Sequence, residues 1–221
     1  MDYIKHLFLS RFKTFALVSV SMLFSIILLM IRMKLTHSFF YLFLVWNLFL
    51  AAIPFVITTY LVSVPKLNKF VLVLWFSVWL LFLPNAPYIV TDLLHLKIST
   101  THLLWLDILV IISFALNGLV LFYLSISDMK TILQTFIIKK KVNYIITITI
   151  FLSGFGIYLG RFLRYNSWEI LSNPKYLFVD VINITIKPFA HQEAWLFTIL
   201  FGIFLSVGYW VFKQVYNNQI D

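Results

Sequence analysis

The sequence predicts an all-α fold: a polytopic transmembrane helix bundle of about six spans, with a broken third span and short interfacial helices. Three observations point there. Of 221 residues, 62% are hydrophobic and only 11% are charged, with a mean hydropathy of +0.97; a soluble domain carries about 25% charged residues, so too few polar side chains remain to cover a water-facing surface. The apolar residues come in runs close to the ~20 that cross a bilayer. The basic residues behind the net charge of +9 sit in short stretches between those runs, where topology and anionic lipid explain them better than nucleic acid does. Cysteine is absent, which excludes disulfides and thiolate metal sites.

The whole chain, 1–221, reads as a single integral membrane domain. The first run, 14–31, follows Arg11 and Lys13 and ends at Arg32 and Lys34. It has the look of a signal peptide, but no small-residue cleavage site follows, so it reads as an anchor. The second run, 38–63, contains Asn47 and Pro54. The third, 70–83, runs into LFLPNAPYIVTDLLHL, where Pro84 and Pro87 deny backbone donors and disfavour helix at the preceding residues. The fourth, 103–126, carries Asn117; the fifth is 142–163 and the sixth 194–212. Asn47 and Asn117, inside apolar runs, are expected to bond across helices. The longest connection, 164–193, mixes Trp168, Tyr176 and Phe178 with polar residues and is expected to lie along the interface. No internal repeat supports an inverted-repeat transporter.

Six spans place Lys5, Arg11, Lys13, Lys66, Lys69, Lys130, Lys139, Lys140, Lys141 and Lys213 on one side. Arg32, Lys34, Lys97, Arg161, Arg164, Lys175 and Lys187 fall on the other. The richer side is expected to be cytoplasmic, which puts both termini there in a cell-membrane protein. Asp92, Asp107, Glu169, Asp180 and Glu193, with His37, His95, His102 and His191, then fall on the outer side. Lysines gather inside and acid–base groups outside.

Two stretches carry candidate chemistry. Past Pro87, the residues Tyr88, Thr91, Asp92 and His95 share one helical face, while Ile89, Val90, Leu93 and Leu94 share the other. Asp92 and His95 are candidate catalytic residues, and Asn85 and Tyr88 candidate ligand contacts. A helix starting at Asn85 or Ala86 would also offer free backbone donors to an anion. The plain alternative is a re-entrant helix whose polar stripe merely meets water. The second stretch is GFGIYLGRFLRYNSWE. Gly156 and Gly160 form a G-x-x-x-G helix-packing motif. Arg161 and Arg164 suit a phosphate or carboxylate, with Asn166 and Glu169 beside them as further ligand contacts. Snorkelling to lipid headgroups is the competing account of the arginines. The glycine spacing does not make a dinucleotide loop, because Leu159 stands where a glycine is needed, and the sequence leaves any cofactor open. His191 and Glu193, with Asp92 and His95, make a weak set of metal ligands. Asn183-Ile-Thr185 matches a glycosylation acceptor, a pattern common by chance.

PNAPYIVTDLLHL and GRFLRYNSWEI resemble the two signature segments of an uncharacterised bacterial family of multi-pass membrane proteins, domain of unknown function 1361. Tyr165 stands where that family suggests tryptophan, and Glu169 where it suggests aspartate. The resemblance implies an integral membrane protein and brings no activity with it. The sequence supports an outer-face polar site for an anionic, lipid-linked or phosphate-bearing ligand, catalytic or binding, with the bilayer as the other partner. A small-solute carrier or channel and a membrane-complex assembly partner are the alternatives.

Overall fold

The computed structural model describes residues 11–64, 66–98, 103–165 and 174–217. Its elements are α1 (Phe12–Thr36), a 3-10 turn (Phe40–Leu42), α2 (Phe43–Ser63), α3 (Lys69–Phe82), α4 (Asn85–Tyr88), a 3-10 helix (Ile89–Ile98), α5 (Leu104–Gln134), α6 (Lys139–Phe162), α7 (Pro174–Ile186) and α8 (Gln192–Asn217). No strand occurs among the described residues. Among the described residues, six stretches are long and apolar enough to cross a membrane: Phe12–Thr36, Phe40–Ser63, Lys69–Lys97, Leu104–Gln134, Lys139–Phe162 and Gln192–Val215. The all-α multi-pass bundle is therefore what the chain forms. Helices are the expected solution, because an apolar surround leaves each backbone N–H and C=O to be satisfied within its own segment.

The chain divides into two compact units, residues 1–136 and 137–221. In the first, α5 is the central helix: 61% of its apolar window is buried, against 17% for α1. It packs against α1, α2, α4 and the 3-10 helix. Phe114, Leu121, Phe122, Ile126 and Met129 fill the interior. The outward side chains are equally apolar, among them Leu17, Phe24, Met30, Phe49 and Phe70. Such a surface is tolerated facing lipid and costly facing water.

Polar side chains lock α1 to α5 at three levels. Arg11, preceding α1, donates from both terminal nitrogens to the Asp128 carboxylate near the end of α5, at 2.6 and 2.7 Å. At the opposite end, Arg32 Nε donates to Asp107 Oδ1 at 2.8 Å. Between them, Asn117 Nδ2 donates to Ser25 Oγ at 2.9 Å and to the Ser21 carbonyl at 3.2 Å. Arg11 to Arg32 and Asp107 to Asp128 are the same 21 residues apart, about 31 Å of helix at 1.5 Å per residue. That is close to the ~30 Å hydrocarbon core of a bilayer. The helices are antiparallel, with an ion pair at each end and an amide midway. Each pair joins residues that the alternation of six spans puts on one side.

Pro54 lies within α2, as spanning helices tolerate where neighbours satisfy the freed backbone groups. Asn68 caps α3, its side chain accepting from the Phe70 amide at 3.1 Å. Gly118 is where α5 meets α4: a Cβ there would run into the Ala86 carbonyl oxygen. In the second unit α6 packs against α8. There a Cβ on Gly154 would sit 3.0 Å from the Thr198 carbonyl oxygen, while Gly202 faces the Phe151 ring. The glycine pressed against the neighbouring helix is thus Gly154. Gly156 and Gly160 are only half-buried.

Candidate functional site

The proline-bearing stretch is interrupted without a sharp break. Regular α-helix stops at Phe82, because Pro84 and Pro87 cannot donate. Yet Leu83 and Pro84 keep right-handed helical angles (φ −55°, ψ −40° and φ −60°, ψ −25°). The Ala86 amide donates to the Leu83 carbonyl at 3.2 Å and the Tyr88 amide to the Pro84 carbonyl at 3.0 Å. These donors are engaged, so the free helix start expected to attract an anion does not form there. The chain turns once as α4 and then winds as ten residues of 3-10 helix. Runs beyond 3–4 residues are uncommon and often mark a functional hinge or strain. Side chains three apart eclipse in this geometry, which stacks Asp92 against His95. Thr91, three residues beyond Tyr88, donates from Oγ1 to the Tyr88 carbonyl at 2.7 Å.

Asp92 is 1% exposed. Asn47, reaching across from α2, donates from Nδ2 to Asp92 Oδ2 at 2.9 Å. His95 Nδ1 lies 3.2 Å from the Asp92 carbonyl oxygen and 3.7 Å from Oδ1. Its ring packs against Phe43 and Phe40, at 4.9 and 6.1 Å between centroids. The imidazole is 27% exposed in its side chain, whereas the carboxylate behind it is sealed. The carbonyl acceptor 3.2 Å from Nδ1 favours the tautomer with the proton there. The Asp92 carboxylate, 3.7 Å from Nδ1, is beyond hydrogen-bond distance and acts on the ring through its charge. Asn85 and Tyr88 are half-buried, about two turns and one turn before this pair.

The Arg32–Asp107 pair belongs to the same end of the first unit. Arg32 and Asp107 are 7% and 2% exposed. Arg32 also donates to the Ser38 carbonyl at 3.2 Å, and its guanidinium carbon stands 4.5 Å over the Tyr41 ring. Charges carried out of water need this much compensation. Sequence reasoning placed both residues at span ends without pairing them; the equal spacing of charges on the two helices was the available signal.

In the second unit, Arg161 occupies the last turn of α6, where its charge complements the helix dipole. It is half-buried and partnered. Arg164 lies past the helix end, exposed, in the left-handed region at φ 63°. It therefore does not continue the line of Gly156 and Gly160 toward a neighbouring helix. Asn166, Glu169 and His102 lie outside the described residues. His191 is half-buried just before α8, and Glu193 is exposed in its first turn. Among the described residues, no three acidic or imidazole side chains gather closely enough to hold a metal ion. Of the four candidate ligands, Asp92 and His95 belong to one unit and His191 and Glu193 to the other.

No curated protein and no solved structure matches this chain. One family model does, described as "Protein of unknown function (DUF1361)", over residues 46–207. That segment is more than half of the chain and includes Pro84–Leu96 and Gly160–Ile170. The chain belongs to this family of unknown function, with six long apolar helical stretches among its described residues.

Proposed function

We propose that the protein presents an outer-face site for a lipid-linked or phosphate-bearing ligand, and that Asp92 and His95 move a proton there. The observation that carries this reading is a carboxylate 1% exposed, bonded by Asn47 and backing a partly exposed imidazole. Ionisable groups are expensive within a membrane protein and mark functional sites by default. His95 Nε2 takes a proton from a ligand hydroxyl or phosphate oxygen; the Asp92 carbonyl holds the ring at Nδ1 and the nearby carboxylate balances its new charge. In the second unit, taken by itself, Arg161 and Arg164, with Asn166 and Glu169, are proposed as contacts for an anionic group. The Lys and Arg distribution supports a cell-membrane orientation with both termini in the cytoplasm.

The test compares lipid extracts by mass spectrometry from a strain lacking the gene and from strains carrying Asp92→Asn, His95→Gln or Arg161→Ala/Arg164→Ala. The Asp92 and His95 variants should reproduce the deletion profile at normal protein level, and a wild-type profile from both would remove the proton-transfer role. The burial of Asp92 also suits a proton-coupled carrier; solute flux into vesicles that is lost in Asp92→Asn, with lipids unchanged, would favour that reading.

A further inference from the structure

We infer that the second unit holds the headgroup of a zwitterionic phospholipid in a cleft beneath α7. This goes beyond the reading above and does not depend on Asp92 or His95. The first observation is that α7 is amphipathic in the sense opposite to a water-facing helix. Phe178, Val179, Ile182 and Ile186 share one arc and are 50–70% exposed. Leu177 and Ile184 lie on the far side, buried at 9% and 3%. Asp180, Asn183 and Lys187, spaced three and four residues apart, form a third stripe between the other two. Four large apolar side chains facing outward from a chain of spanning helices belong in acyl chains. The helix then lies at the depth where headgroups begin.

The second observation is that the polar stripe lines a cavity. A cleft of about 280 Å³ is bounded by Tyr158, Asp180, Asn183, Lys187 and His191. A smaller one, about 240 Å³, adjoins it at Tyr158 and His191 and reaches Glu193. Ligand pockets for drug-sized molecules begin near ~300 Å³, so the cleft suits a polar headgroup whose tails remain outside. Its walls are fixed. Trp195 Nε1 donates to the Ile184 carbonyl at 3.1 Å, tying α8 to the end of α7, and Tyr165 donates from its hydroxyl to Asp180 Oδ2 at 2.7 Å. Among the described residues, neither Lys187 nor His191 forms an ion pair. These two, with the Asn183 amide, make a donor set for a phosphodiester. Among the described residues lining this cleft, the Asp180 carboxylate, held by Tyr165, is the anionic group, and it suits an ammonium.

The full-length protein in detergent is titrated with dihexanoyl phosphatidylethanolamine, with dihexanoyl phosphatidylglycerol and with inorganic phosphate, and binding is read by native mass spectrometry. Saturable binding of the ethanolamine lipid should exceed that of the glycerol lipid. Lys187→Ala should weaken it by about tenfold, the loss of one charge-assisted bond, and Lys187→Arg should retain it. Asp180→Asn should abolish the preference for ethanolamine while leaving glycerol-lipid binding unchanged. Thr185→Ala, on the same helix away from the cleft, should change nothing. The inference is overturned if neither lipid saturates, if Lys187→Ala binds like wild type, or if inorganic phosphate competes as strongly as the lipid. Unchanged binding in Asp92→Asn would separate this cleft from the proton-transfer site.

Discussion

Replacing Asp107 by alanine strands Arg32. The guanidinium is 7% exposed, loses the carboxylate at 2.8 Å, and keeps only the Ser38 carbonyl and the Tyr41 ring as compensation. Breaking a buried pair from one side costs about 3–5 kcal/mol, most of it the penalty of the abandoned charge. Removing both partners in Arg32→Met/Asp107→Leu abolishes that penalty, so the double variant should recover most of the loss. The other end of α1 should respond less. The Arg11 side chain is 26% exposed and can turn toward water, so Asp128→Ala should cost about 1–2 kcal/mol, between the exposed and buried ranges. Reversible unfolding in mixed micelles, titrated with denaturing detergent, measures all three. An Asp107→Ala loss below about 1 kcal/mol, or a double variant no better than the single, would refute the pairing as a buried clamp.

Other consequences are as direct. Gly118→Ala drives a methyl group into the Ala86 carbonyl and should cost about 1–3 kcal/mol, seen as a lower unfolding midpoint; an unchanged midpoint would contradict the close approach of α4 and α5. Asn117→Val removes the amide bridge to Ser25 and Ser21 and should cost only about 0.6 kcal/mol, as interhelical hydrogen bonds in membranes average; the same titration measures it. Asn47→Leu leaves Asp92 without the amide donor and should cost about 1–3 kcal/mol. Asn47→Leu/Asp92→Leu should recover part of that, and a cycle showing no coupling would dismiss the contact.

The spans were legible because a membrane-crossing helix needs so long an apolar run that few other patterns imitate it. Asn47 and Asn117 were legible as interhelical donors for the same reason: an amide inside an apolar run has nowhere else to go. Their partners were not, since Asp92 and Ser25 are 45 and 92 residues away. The prolines announced an interruption after Leu83, but a proline removes a donor without forbidding right-handed angles, so the 3-10 continuation had no local signature. Gly118 looked like any helical glycine; only the Ala86 backbone across from it gives it a purpose. The Gly156–Gly160 spacing drew attention from Gly154, whose neighbours on α8 are more than forty residues away. The left-handed backbone of Arg164, just past the end of α6 at Phe162, was invisible to periodicity.

The central claim is that His95 is a base backed by Asp92. Nitrogen-15 NMR of protein labelled at histidine, with His95→Gln to assign the signal, reads the tautomer directly. Nδ1 should carry the proton in the wild type, with Nε2 unprotonated, and Asp92→Asn, which keeps the backbone carbonyl 3.2 Å from Nδ1, should retain that tautomer. A ring protonated at Nε2 would contradict it.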